Sequence, residues 1–74
     1  MNTPPRYRKK NNPSDVRIDP TDVEIVRSCF AFKTPEEHAR FYVRKKDLPA
    51  SHEKKILDRI HALIKMGMFI EEGV

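Results

Sequence analysis

The sequence predicts an all-α fold: a small three-helix domain over residues 19–74 that follows a disordered basic arm over residues 1–18. Three observations support this prediction. Apolar residues recur at helical spacing between residues 48 and 70, and a capping signal opens another helix at Thr34. The arm contains too few apolar side chains to contribute to a core. A chain of 74 residues is one domain at most, so the helices must share one core.

The arm carries the net charge of the chain. Residues 1–18 hold five Lys or Arg and one Asp, which gives +4, whereas residues 19–74 hold ten basic and ten acidic residues. Too little apolar surface can be buried in the arm to offset the entropy of ordering it, so disorder is expected. Val16 and Ile18 could add a short strand at its root. The arm is interpreted either as a solubilising tail or as a segment that folds on contact with an acidic partner.

Helix 1 is expected to begin at Asp19-Pro20-Thr21. Thr21 and Glu24 have the spacing of a capping box, and Pro20 has no amide hydrogen to leave unpaired. Phe32 is expected to close the following turn against the core. Because the segment is rich in β-branched residues, a strand is the alternative. The apolar face of the expected helix consists of Val23, Ile25, Val26, Cys29 and Phe30.

Helix 2 has the clearest start signal. Thr34 is the expected N-cap, Pro35 the first helical residue, and Glu37 the residue that completes a capping box. The sequence Asp47-Leu48-Pro49-Ala50 ends the helix, because proline disfavours helical geometry in the residue before it. The inward-facing residues are expected to be Ala39, Tyr42 and Val43.

Helix 3 is expected to run from Pro49 or Ser51 to Met66. Gly67 then has the place of a helix-terminating glycine in the left-handed conformation. Residues 68–70 are expected to form a short strand or an apolar cover. Met66, Met68 and Phe69 are interpreted as core cover, with a dimer surface as the alternative, so a monomer is expected. The apolar face of helix 3 consists of Ile56, Leu57, Ile60, Leu63 and Ile64.

No residue pattern predicts catalysis, a cofactor site or a metal site. Cys29 lies on the apolar face of helix 1, and the three histidines lack the i, i+4 spacing that places two imidazoles on one helix face. The single cysteine cannot form an internal disulfide, and no apolar run approaches the roughly 18 residues that span a bilayer. We therefore expect a cytoplasmic protein that is not an enzyme.

Residues 34–70 resemble the second half of a winged-helix domain. The resemblance rests on TPEEHARFYV, the break, and ILDRIHALIKMGMFI, which is similar to the last helix and following strand of that family. The usual glycine between the helices is absent, and the chain ends before a wing hairpin could form. The resemblance implies that helix 3 lies in the major groove, where bases or phosphates would be contacted by Lys54, Lys55, Asp58 and Arg59. Because Glu53 and Asp58 place negative charge on that face, an ordinary solvated face is the alternative.

The size, the basic proline-flanked arm and the mixed-charge helical body also resemble small phage-encoded regulators that attach to host RNA polymerase. That resemblance implies a transcription-associated protein that binds polymerase subunits, with its arm on an acidic surface. The implied contacts in the arm are Arg6, Tyr7, Arg8, Lys9, Lys10 and Arg17. A second basic patch is formed by Arg40, Arg44, Lys45 and Lys46. Direct DNA binding through helix 3 is the alternative function, and a structural or toxin–antitoxin-type partner protein is a third possibility.

Overall fold

The structure is a computed structural model, and it describes residues 4–10 and 19–73. Its elements in chain order are β1 (Tyr7–Lys9), α1 (Pro20–Ser28), α2 (Pro35–Lys45), a 3₁₀ turn (Ala50–His52), α3 (Glu53–Lys65) and β2 (Phe69–Glu71). The described part of the chain is mostly helical, and β1 and β2 form a two-stranded antiparallel sheet. The three expected helices are present, including the first, for which a strand was the alternative. The all-α prediction is incomplete, because it included the strand after α3 but not a partner for it.

The three helices enclose one apolar core. Ile25 of α1, Ala39 of α2, and Ile60 and Leu63 of α3 are fully buried. Met68 and Phe69 are buried as well, which confirms that they cover the core, whereas Met66 is exposed. The expected inward-facing residues of α2 are all buried: Ala39, Tyr42 and Val43.

The starts of α1 and α2 differ in how they are capped. In α2 the capping box is present: the Glu37 amide donates to Thr34 Oγ1 at 3.2 Å, and the Thr34 amide donates to Glu37 Oε1 at 2.9 Å. In α1 the expected box between Thr21 and Glu24 is absent, because the helix begins at Pro20 and its N-cap is Asp19. The side chain of Asp19 makes no capping hydrogen bond.

The ends of α2 and α3 have the same backbone geometry. Beyond α3, Gly67 has φ of 82°, and the amides of Gly67 and Met68 donate to the carbonyls of Ile64 and Leu63. Beyond α2, Asp47 takes the same place with φ of 55°. Its amide donates to Arg44, and the next amide donates to Val43. Both helices therefore end in a Schellman motif, and only the expected one has a glycine.

Strand β1 belongs to the predicted arm, and the prediction of disorder is wrong for it. Tyr7, Arg8 and Lys9 pair with Glu71, Ile70 and Phe69 of β2. On its other edge, β1 is hydrogen-bonded to the connector, by which we mean residues 29–34 between α1 and α2. The strand is thus held on both sides, and its backbone hydrogen bonds stabilise a segment that has few apolar side chains. Residues 1–3 and 11–18 lie outside the described part of the chain, and with them the expected root strand and Arg17.

Candidate binding surface

The connector places aromatic side chains on the surface beside α2. Phe30 is 59% exposed, although it was expected on the buried face of α1. Its ring meets that of Phe41 edge-on, with centroids 6.0 Å apart and an interplanar angle of 83°. Lys33 Nζ lies 3.9 Å from the centroid of the Phe41 ring, within the range of a cation–π interaction. The end of α1 thus leads into an exposed aromatic pair with a cation against it.

Strand β1 brings two arginines to the same connector. The Arg8 guanidinium lies 5.2 Å from the centroid of the Phe32 ring. Arg6 donates from Nη2 to the Phe32 carbonyl at 2.7 Å, and its Nη1 forms a 3.2 Å ion pair with Glu72. These arginines were expected to lie on the disordered arm. They lie instead against the folded body of the protein.

Helix α2 supplies two further cations beside the aromatic pair. Arg40 and Arg44 are one helical turn apart, about 6 Å. Together with Lys33, Glu37 and Phe41 they line a shallow concavity of about 220 Å³. The carboxylate of Glu37 accepts the Thr34 amide, and this hydrogen bond lowers its pKa. We call this set the aromatic–cationic surface: Phe30, Lys33, Arg40, Phe41 and Arg44.

The other predicted cations of α2 differ in their contacts. Lys46 forms a 3.0 Å ion pair with Glu24 of α1, and the Tyr42 hydroxyl donates to the same carboxylate at 3.3 Å. Lys46 is the main cause of a lowered pKa of Glu24, and the Tyr42 hydrogen bond acts in the same direction. Lys45 is exposed. Arg40 approaches Glu53 at 3.7 Å between partly exposed side chains, a contact that contributes little in water. The basic end of α2 is therefore only partly available to a partner.

The predicted DNA-contacting residues of α3 do not form a cationic cluster. Lys54, Lys55 and Asp58 are exposed. Arg59 donates from Nε to Oδ1 of the buried Asp22 at 3.0 Å, and from Nη2 to Oδ2 of the same carboxylate. This hydrogen bonding raises the pKa of Arg59. Arg59 therefore joins α3 to α1, a pairing that no local pattern predicts because the two residues are 37 positions apart.

The remaining predicted arm contacts serve the fold. The Tyr7 amide donates to the Lys33 carbonyl at 2.8 Å, and the side chain of Tyr7 packs against the core. Burial, and then the charge of Glu71, raise the pKa of Tyr7. The Lys9 amide donates to Cys29 at 2.8 Å, and the Lys10 amide donates to Met68 at 3.3 Å.

Two groups with reactive side chains lie in the core. The Cys29 thiol is fully buried and donates to the Ile25 carbonyl at 3.1 Å, and burial raises its pKa to about 11. It is therefore a neutral thiol near pH 7 and a poor nucleophile. His38 is 1% exposed, and its Nε2 donates to the Tyr7 carbonyl at 2.6 Å. Its Nδ1 has no hydrogen-bond partner among the described residues, and burial lowers the pKa of His38.

Sequence reasoning missed the aromatic half of the surface. Phe30, Phe32 and Phe41 were interpreted as core residues or left without a role, and Lys33 was not singled out. The signal in the sequence is Phe-Ala-Phe-Lys, which places two large apolar residues between two helices and outside a helical repeat.

In residues 4–10 and 19–73, no three His, Cys, Asp or Glu side chains are grouped as metal ligands. None of the described helices has the length and apolar character needed to cross a membrane. No protein-family model, curated protein or solved structure matches the chain.

Proposed function

We propose that this protein is a non-enzymatic, transcription-associated regulator that binds host RNA polymerase in the cytoplasm as a monomer. The aromatic–cationic surface is the contact, and an acidic surface of the polymerase is its target. One observation carries the proposal: Lys33 of the connector lies on the Phe41 ring beside Arg40 and Arg44, and the exposed Phe30 meets the same ring.

The chemistry of this surface suits a protein partner. Aromatic residues and arginine dominate the binding energy of many protein interfaces, and excess positive charge accelerates encounter with an acidic partner. The surface is also held by the fold, since β1 is hydrogen-bonded to the connector and to β2. Less conformational entropy is therefore lost on binding than a disordered arm would lose.

The test uses purified RNA polymerase core enzyme from a bacterium and the full-length labelled protein. We expect the double variant Arg40→Glu/Arg44→Glu to bind about tenfold more weakly or worse. The matched control is Lys54→Glu/Lys55→Glu, which makes the same change in charge on α3 and should shift Kd by less than about twofold. If wild-type protein does not bind polymerase at about 50 mM salt, the proposal fails. If both variants weaken binding equally, binding depends on net charge and the surface assignment is wrong.

Substitutions are preferable to truncation in this experiment. Deleting residues 1–12 would remove β1, whose amides bond to both the connector and the segment after α3. A loss of binding after that deletion would therefore report damage to the fold as well as loss of a contact.

Duplex DNA binding through α3 is the second candidate, because β1 supplies a strand that pairs with β2. The strand after the last helix is part of the winged-helix resemblance, and the N-terminal segment pairs with it. Lys54 and Lys55 would then contact phosphates, while Arg59 is held by Asp22. In this case Lys54→Glu/Lys55→Glu, rather than the α2 variant, would abolish duplex retention, and binding would weaken steeply between about 50 and 200 mM salt.

A further inference from the structure

We infer that the aromatic–cationic surface also binds single-stranded nucleic acid without regard to its sequence. Proteins of this kind combine exposed aromatic rings, on which bases stack, with cations that meet the phosphates. Both components are present here within one short stretch of chain and the helix beside it. The inference does not depend on attachment to polymerase and is tested in its absence.

Phe30 is the base-stacking residue. It is 59% exposed. Its position is fixed by the edge-on contact with Phe41 at 6.0 Å. An edge-on contact covers less of the two ring faces than a stacked contact would, so ring surface is left for a base.

The phosphate-binding groups are the cations around Phe41. Lys33, Arg40 and Arg44 line the concavity beside the aromatic pair. Glu37 is the one acidic residue in that lining, and its carboxylate already accepts the Thr34 amide at 2.9 Å. A phosphate in the concavity would therefore meet three cations with one carboxylate directed to a helix N-terminus.

A single strand fits this arrangement better than a duplex. Bases in a duplex are stacked on one another, so a protruding phenyl ring has no base face to meet. Phe30 protrudes beside Phe41, which carries the Lys33 ammonium on its ring.

The experiment measures fluorescence anisotropy of a fluorescein-labelled dT20 oligonucleotide with the full-length protein at about 50 mM NaCl. We expect Phe30→Ala to weaken binding by about fivefold to a hundredfold, the range for loss of one stacked base. Phe30→Tyr, which keeps the ring, should bind within about twofold of wild type. The matched control is Met66→Ala, because Met66 is the other large apolar side chain that is exposed in the described residues, and it lies beyond α3.

The outcomes separate this inference from the proposed function. Retention of dT20 that is lost in Phe30→Ala and kept in Phe30→Tyr supports the inference whether or not polymerase binds. No binding of dT20 by wild-type protein overturns it, even if polymerase binding is strong. Equal losses in Phe30→Ala and Met66→Ala, or equal affinity for a 20-base-pair duplex probe, also overturn it, because neither result requires stacking on Phe30. Since Phe30 is exposed, circular dichroism of the alanine variant should match that of wild type.

Discussion

The aromatic–cationic surface and the outer face of α3 are both basic, yet their cations are used differently. On the first surface Lys33 lies on an aromatic ring, and Arg40 and Arg44 border the same concavity. On α3, Lys54 and Lys55 are close in sequence to Asp58 and Glu53, and the arginine of that face is hydrogen-bonded to a buried carboxylate. A count of charges does not distinguish the two faces. What distinguishes them is that the first has cations beside an exposed aromatic pair, whereas the arginine of the second is held by a buried carboxylate.

The largest expected change in stability tests whether Arg59 is held by Asp22 and not available to a partner. Asp22 is 3% exposed, and its carboxylate accepts two hydrogen bonds from Arg59. We expect Asp22→Ala to lower the free energy of unfolding by about 2 kcal/mol, because a charge-assisted contact between α1 and α3 is lost. Urea denaturation measures the change. Asp58→Ala on the exposed face of α3 is the control and should change stability by less than about 0.5 kcal/mol. Similar small changes in both variants would show that Asp22 does not hold Arg59, and Arg59 would then be available to a partner.

Two smaller changes in stability are expected at the C-terminal ends of α2 and α3, the helices that carry the two surfaces. Asp47 after α2 and Gly67 after α3 both have positive φ, which only glycine adopts without steric cost. Gly67→Ala should lower the free energy of unfolding by about 1 kcal/mol. A Cβ there would meet only Lys10 Nζ at 4.0 Å, so the loss is conformational rather than a clash. Asp47→Gly should raise stability by about 0.5 kcal/mol. Thermal denaturation of the two variants measures both signs, and a loss in Asp47→Gly would show that the aspartate side chain contributes a stabilising contact.

The smallest effect concerns the attachment of β1. Burial lowers the pKa of His38 below its ordinary 6.5, the charge of Lys33 acts in the same direction, and the Tyr7 carbonyl and Glu37 oppose it. Because the folded state disfavours the protonated ring, this contribution to stability is complete above pH 6.5 and is lost as the pH falls toward the lowered pKa. The free energy of unfolding should therefore decrease as the pH is lowered from 7.5 to 5.

The control for this pH dependence is a pair of histidine variants. His38→Gln should flatten the profile between pH 6.5 and 5, whereas His61→Gln, at an exposed position, should keep it. The window lies above the titration of Glu24 and Glu37, whose pKa values are lowered from 4.5. A profile that is unchanged in His38→Gln would show that another group titrates.

The parts of the fold that sequence could predict are those set by local chemistry. Three such features were predicted and are observed: the capping box at Thr34, the break at Pro49 and the terminating Gly67. Each of these features depends on its own small group of residues, which lie within five positions of one another in the sequence. For residues 68–70 a short strand or an apolar cover was expected, and a strand is observed at Phe69–Glu71. Asp47 was understood as part of the break, but its left-handed conformation could not be inferred from an aspartate alone.

The parts that could not be predicted depend on distant segments. Residues 7–9 have the composition of a disordered arm, and they are ordered because the connector and β2 accept and donate hydrogen bonds on both edges. The pairing of Asp22 with Arg59 and the placement of Arg8 on Phe32 arise in the same way. Of the candidate surface, Arg40 and Arg44 were expected. The three exposed or partly exposed phenylalanines were missed, because helical periodicity assigned apolar residues to the core.

Hydrogen–deuterium exchange of individual amides tests most directly whether the N-terminal segment is part of the folded body. The amides of Tyr7 and Lys9 donate to the carbonyls of Lys33 and Cys29, so we expect both to exchange at least about a hundredfold more slowly than an unstructured peptide. The amide of Glu36, in the first turn of α2, has no helical acceptor and is the fast-exchanging reference. Exchange of Tyr7 and Lys9 at the rate of an unstructured peptide would contradict the account, because it would show that residues 7–9 are part of a disordered arm and not of the folded body.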